Sequence, residues 1–160
     1  MTRPSVTAHL GRATLSNSAW YLDQLITFLA IGDDTGGRFA LLRVHGLQGA
    51  EPAAHYHSGE DEIVYLLDGE MTFYAGREEL HACAGDMVII PRGLEHTIRN
   101  DTKEVTFLLQ FSPAGFERYF HDLSEPAEYL GLPPNPVPPD HTRMVATAAR
   151  YGCVFTGPAP

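Results

Sequence analysis

Four residues of this chain, His55, His57, Glu62 and His96, have the types and spacing to hold one metal ion. Side chains two apart on a β-strand share a face, so His55 and His57 can aim both imidazoles at one point. Glu62 lies past the Ser58-Gly59 turn and can return to that point from the neighbouring strand. His96 follows the sharp bend Pro91-Arg92-Gly93, which turns its side chain inward and supplies a further nitrogen. Imidazole combined with carboxylate favours a first-row transition metal over calcium or magnesium, which prefer oxygen shells. Four protein donors also leave one or two positions for water, dioxygen or substrate, as a catalytic centre requires. Asp61 is an alternative carboxylate with one fewer intervening residue. Glu62 is preferred because it opens the apolar run 63–67 and precedes Gly69 by a full strand, and Glu60 and Asp61 then read as a solvated acidic turn. His9, His45, His81, His121 and His141 lack such partners and read as ordinary packed or hydrogen-bonded side chains. The competing reading of the quartet is a set of polar residues satisfying one another inside a barrel.

The elements that must carry these residues are short strands. Residues 19–31 are rich in strand formers, 32–37 make a tight connection, and 38–45 form a second strand. Residues 63–67 end at Asp68-Gly69, a strong hairpin signal, after which 71–75 runs back. Segments 80–84, 86–90, 95–99 and 105–111 continue the series, with breaks at Gly85, at Pro91-Arg92-Gly93 and at Asn100-Asp101. Many short strands punctuated this way imply an antiparallel sandwich or barrel. Counting by twos from Glu62 and His96 sends Val64, Leu66 and Ile98 toward the ligands. With Phe107 they are the expected lining of an apolar substrate pocket.

The texture changes after Ser112-Pro113. Phe116, Tyr119, Phe120 and Leu123 recur at helical intervals, residues 132–139 are proline-rich and extended, and 144–151 form a last helix stopped at Gly152. The expected organisation is one domain: an N-terminal arm over 1–18, a barrel over 19–112, and a helical, proline-rich extension over 113–160 packed outside it. At 160 residues with 44% hydrophobic and 19% charged residues, the chain can bury a proper core. A net charge of -9 leaves no basic excess for nucleic acid or an anionic membrane. No signal-peptide core or transmembrane run is visible, so a cytoplasmic location is expected. Cys83 and Cys153 read as reduced structural thiols, with a disulfide between them left open.

The two ligand-bearing segments resemble the two motifs of the cupin superfamily. The first is glycine, five residues, His-x-His, three or four residues, Glu, six residues, Gly; it is met by Gly49, His55, His57, Glu62 and Gly69. The second is Gly, five residues, Pro-x-Gly, two residues, His, three residues, Asn; it is met by Gly85, Pro91, Gly93, His96 and Asn100. The resemblance implies an all-β fold, a double-stranded β-helix or jelly-roll barrel. It also implies one divalent transition metal per chain (Ni, Mn, Fe, Co, Cu or Zn) on His55, His57, Glu62 and His96. Residues 112–120, 126–133 and the closing Tyr151-Gly152 with Val154-Phe155 are similar to the tail of bacterial single-domain quercetin dioxygenase-like cupins. That narrower likeness implies a metal-dependent dioxygenase acting on a flavonol or similar enolic aromatic, with Glu62 as ligand and general base. Alternatives are an oxygen-independent cupin isomerase, cyclase or decarboxylase on a polyketide or oxo-acid, and a non-catalytic small-molecule binding cupin. Expected partners are an aromatic or apolar small molecule, dioxygen, and a second copy of the chain in a homodimer contacting through 19–31.

Overall fold

Alternation of apolar and polar side chains along short strands builds almost all the regular structure. The computed structural model describes residues 7–49 and 51–158. In chain order the strands are β1 (Ser18–Tyr21), β2 (Gln24–Ala30), β3 (Ala40–Leu47), β4 (His55–His57), β5 (Asp61–Asp68) and β6 (Glu70–Ala75). They continue with β7 (Glu78–Cys83), β8 (Met87–Ile90), β9 (His96–Asn100), β10 (Glu104–Ser112), β11 (Glu125–Pro126) and β12 (Cys153–Phe155). The α-helices are α1 (Gly32–Thr35), α2 (Glu117–Leu123) and α3 (His141–Arg150). Pairing is antiparallel throughout and gives a larger sheet, β11-β1-β2-β3-β10-β5-β8, and a smaller one, β12-β4-β9-β6-β7. The fold is a double-stranded β-helix.

Period-2 patterning decides which face of each strand turns inward. On β3, Ala40, Leu42 and Val44 are buried while Leu41, Arg43 and His45 are only half-buried. On β5, Glu62, Val64 and Leu66 point inward and Tyr65 and Leu67 outward. The largest fully buried side chains, Phe73 and Phe111, come from β6 of the smaller sheet and β10 of the larger, so the core joins the two sheets.

Several expectations are revised by the tertiary arrangement. Residues 19–31 are not one strand: β1 and β2 form a hairpin closed by Leu22-Asp23, with Leu22 at φ 56°. Residues 32–35 of the expected tight connection form one helical turn, α1. Asp68-Gly69 does not close a hairpin. β5 lies in the larger sheet and β6 in the smaller, so this pair turns the corner between sheets. Gly69 is required there, because at φ 87° an added Cβ would sit 2.7 Å from the Glu104 carbonyl oxygen. The two-residue hairpin is one connection later, at Gly76-Arg77 between β6 and β7.

The extension after residue 112 is not wholly outside the barrel. β11 pairs with β1, and β12 pairs with β4, the strand that carries two of the candidate ligands. β11 covers the outer edge of β1 at Ala19 and Trp20, within the expected contact segment 19–31. The amphipathic segment expected around 116–123 is α2, and α3 begins earlier than expected because Asp140 caps it, its side chain accepting the Arg143 N–H at 3.0 Å. Of the expected arm, residues 1–6 lie outside the described residues, and Ser18 already belongs to β1. The arm is tied down where Asn17 donates to the carbonyls of Arg12 and Phe28 and where His9 donates to that of Leu29. Cys83 is exposed and Cys153 buried, and both are free thiols. Among the described residues, no helix is long and apolar enough to cross a membrane.

Candidate metal centre

Three strands and a turn bring the quartet together. His55 and His96 face each other directly across the β4–β9 pair, with ring centroids 4.4 Å apart. His57, two residues along β4, points to the same interior. Glu62 arrives from the facing sheet and not from a neighbour of β4; on β5 it is flanked by Phe111 and Ile90. The bend before β9 is fixed to the ligand strand, because the N–H of Gly93 donates to the His57 carbonyl at 2.7 Å. One donor atom from each of His55, His57, Glu62 and His96 lies within 4.8 Å of the others, and all four residues are buried.

The hydrogen bonds of the rings fix their tautomers. Nδ1 of His55 lies 2.8 Å from the Ala53 carbonyl oxygen, and Nδ1 of His96 lies 2.9 Å from that of Leu94. A carbonyl can only accept, so each Nδ1 carries the proton and each Nε2 lone pair is free to bind a cation. His57 Nε2 comes within 3.0 Å of Glu62 Oε2, and His96 Nε2 within 3.4 Å. Neither nitrogen is aligned for a hydrogen bond, and both are buried without a partner. Buried imidazole nitrogens left unpaired around one carboxylate are costly unless an ion occupies the space between them. The donor set therefore fits a divalent transition metal, for which His nitrogen and carboxylate oxygen are suitable ligands.

Electrostatics separate the members of the quartet. Burial, with the nearby His96 adding to it, pushes the His55 pKa down to about 4, so this ring is neutral and ready to ligate at pH 7. Burial works to raise the Glu62 pKa, but the close approach of His57 and His96 outweighs it and holds the carboxyl well below its usual range. Burial also opposes the charged form of His96, yet the Glu62 carboxylate prevails and raises that pKa. In metal-free protein, His55 contributes stability that is complete above its unfolded value of about 6.5 and is lost as pH falls toward about 4. His96, raised, contributes stability that is complete below about 6.5 and is lost as pH rises through its folded value. Denaturant midpoints measured in chelator should therefore peak near pH 6.5. The fall on the acid side should shrink in a His55→Asn variant, and an unchanged acid limb in that variant would contradict the assignment.

A cavity of about 580 Å³ opens onto the quartet. Val64, Ile98 and Phe107 are on its wall, while Leu66 is fully buried and packs away from it. Much of the wall comes from residues that strand counting did not reach. Phe116, Tyr119 and Phe120 from the α2 region, Tyr21 from β1, and Cys153 and Phe155 from β12 all line it. Phe116 meets the His57 ring edge-on at 4.4 Å. The helical spacing of 116–123 did flag an apolar face, but nothing local indicated that this face looks into a cavity. Away from the quartet the wall also carries Gln24, Glu51, His141 and the Tyr21–Tyr119 hydroxyl pair, 2.8 Å apart. Burial raises both phenols, Tyr119 to about 12, so both remain protonated. Burial likewise pushes the Cys153 thiol up to about 12, with the negative charges of Glu62 and Glu60 adding to it, so it is no nucleophile at neutral pH.

Glu60 departs from expectation. It is buried against His57 and is not part of a solvated turn, and burial raises its pKa despite His57 nearby. Asp61 does face solvent, where it pairs with Arg92 at 3.0 Å.

The cupin domain model matches residues 43–111, a stretch that contains all four candidate ligands. The chain belongs to the cupin superfamily. This cupin is 30% identical over 106 residues to quercetin 2,3-dioxygenase of Bacillus subtilis, a match covering 66% of the chain. The chain spans about a third (32%) of the length of that protein. Among solved structures, an RmlC-like cupin from Shewanella frigidimarina superposes with a TM-score of 0.58 at 17% identity, covering 70% of this chain and 96% of that one. A predicted oxalate decarboxylase from Thermotoga maritima gives a TM-score of 0.53 at 25% identity, covering 56% of this chain and 80% of the other. Relatives of this kind make a cupin enzyme the broad class to consider.

Proposed function

We propose that this cupin is a metal-dependent dioxygenase of the quercetinase type, acting on a flavonol or a similar enolic aromatic. The observation that carries the reading is the cavity beside the quartet. Its volume suits a small molecule, and Phe107, Phe111, Phe116 and Phe155 offer aromatic surface for a flat, apolar ring system. The likeness to the Bacillus quercetin dioxygenase supports the same chemistry.

In this reading His55, His57, Glu62 and His96 hold one divalent metal, with nickel, manganese, iron, cobalt, copper and zinc all compatible with the donors. The bound metal supplies a template and a Lewis acid that acidifies the substrate hydroxyl. Glu62 then accepts that proton on its carboxylate. Its depressed pKa keeps it ionised and ready, but also makes it a weak base, so the transfer depends on an acidified hydroxyl. The aromatic walls orient the ring and keep bulk water out. Ring cleavage by dioxygen incorporates both oxygen atoms and releases carbon monoxide. The protein is also proposed to work as a homodimer, which light scattering on the eluted protein measures directly.

The direct test is anaerobic mixing of metal-loaded protein with a flavonol, followed by oxygen addition. Loss of flavonol absorbance with release of carbon monoxide is expected only after oxygen enters. Absence of turnover with every flavonol tried would remove the substrate assignment. Turnover of an oxo-acid or polyketide that persists without oxygen would select an isomerase, cyclase or decarboxylase instead, and tight small-molecule binding without turnover would select a binding protein.

A further inference from the structure

The three histidines are not held alike. His55 and His96 each rest Nδ1 on the carbonyl of the residue two positions earlier, Ala53 and Leu94. His57 has no such carbonyl, and its Nδ1 is buried without a hydrogen-bond partner. The group facing it is Glu60, whose Oε2 lies 3.8 Å away and is itself buried and unpartnered. The His57 side chain is 2% exposed and that of Glu60 10%. The nearby buried carboxylate of Glu117 is already satisfied, accepting the backbone N–H groups of Gly32 and Gly115. Two orphaned polar atoms thus face each other on the side of His57 away from Glu62.

We infer that Glu60 is the positioning residue for His57, accepting its Nδ1 proton once Nε2 binds a metal. The inference rests on reading the quartet as a metal site, and the proton bookkeeping gives its direction. Metal bonding through Nε2 takes that lone pair and leaves the ring's single proton on Nδ1. A buried N–H then needs an acceptor, and Glu60 Oε2 is the unpaired oxygen that faces it. A carboxylate acceptor fixes the ring's orientation and raises its basicity more than the carbonyls behind His55 and His96 can. His57 becomes the strongest of the three nitrogen donors. Glu60 touches neither metal nor substrate in this scheme and acts only through the imidazole.

The test uses zinc as the probe, read by competition with a chromophoric chelator and by nitrogen-edited proton spectra of the imidazoles. In the zinc-loaded wild type, a strongly deshielded, exchange-protected His57 Nδ1–H resonance is expected. Glu60→Ala should weaken zinc binding roughly 10- to 100-fold and broaden or remove that resonance. Glu60→Gln, which keeps an acceptor oxygen without the charge, should retain the resonance and lose less affinity. A folded Glu60→Ala protein with wild-type zinc affinity and an unchanged resonance would overturn the role. Should that variant fail to fold, the wild-type spectrum decides: a His57 Nδ1 bearing no hydrogen-bonded proton overturns it equally. Wild-type protein that takes up no zinc would overturn it together with the metal reading. Failure to turn over any flavonol leaves both readouts standing, so the two proposals fail separately.

Discussion

Replacing His96 by alanine should weaken metal binding by about two to three decades while leaving the barrel folded. Structural zinc sites with four protein donors bind with roughly 10–16 kcal/mol, so an even share for one donor is on the order of 3–4 kcal/mol, about two to three decades in affinity. The fold should tolerate the change. The His96 ring borders an existing cavity, so truncation deprives the Leu94 carbonyl of a donor, about 1 kcal/mol, and removes one of the two imidazoles beside the buried Glu62 carboxylate, leaving His57 as the other. Elemental analysis after dialysis against the metal, beside a denaturant titration, separates the two effects. Full metal retention by a folded His96→Ala protein would remove His96 from the ligand set. A variant that loses metal only because it unfolds would instead give His96 a structural role.

Deleting residues 152–160 should be as damaging to the site as losing a ligand, although no ligand is removed. β12 aligns Cys153 with His57 and Phe155 with His55 on the strand that presents both rings. Further bonds anchor the flanks: Ser58 N–H to the Gly152 carbonyl at 2.8 Å, Ala54 N–H to that of Pro158 at 3.0 Å, and Thr156 N–H to that of Ala54 at 2.8 Å. Without them β4 keeps one aligned pair with β9, His55 with His96, and becomes a sheet edge. Losing the buried Cys153 and the half-buried Phe155 alone costs about 2–4 kcal/mol by apolar burial. The truncated protein should show a lower denaturant midpoint and metal affinity reduced at least as far as in His96→Ala. A control, Val154→Thr, alters an exposed side chain of β12 and should change neither. Truncated protein that binds metal within a few-fold of the full chain would show that β4 holds its ligands unaided.

Both predictions depend on how unevenly the sequence discloses this protein. The quartet was legible because its geometry is mostly local. His55 and His57 share a face by strand periodicity alone, and the turn before His96 is written in Pro91 and Gly93. The carboxylate choice was legible too, since Glu62 begins the alternation that continues inward through Val64 and Leu66. Glu60 is buried against expectation because an acidic run looks the same in sequence whether or not a histidine from the preceding strand covers one member. Asp68-Gly69 was misread because the same positive-φ glycine serves a hairpin or a corner between sheets, and only long-range pairing distinguishes them. Leu66 faces inward as counting by twos expects, yet it is not on the cavity wall. That count carried no information about how deep along the barrel the cavity extends.

The strand-rich class, the four candidate donors and the inward face on which they stand are readable from the chain alone, because they follow from spacing, turn chemistry and alternation within a few residues of each group. Tertiary structure alone decided that Glu62 meets the histidines from across the barrel. It also decided that β12 returns from the far end of the chain to brace β4, and that Phe116, Tyr119 and Phe155 wall the cavity. Except for Glu62 with His55 and His57, those contacts join residues tens of positions apart, and all of them are set by how two sheets close on one another, which no local period encodes.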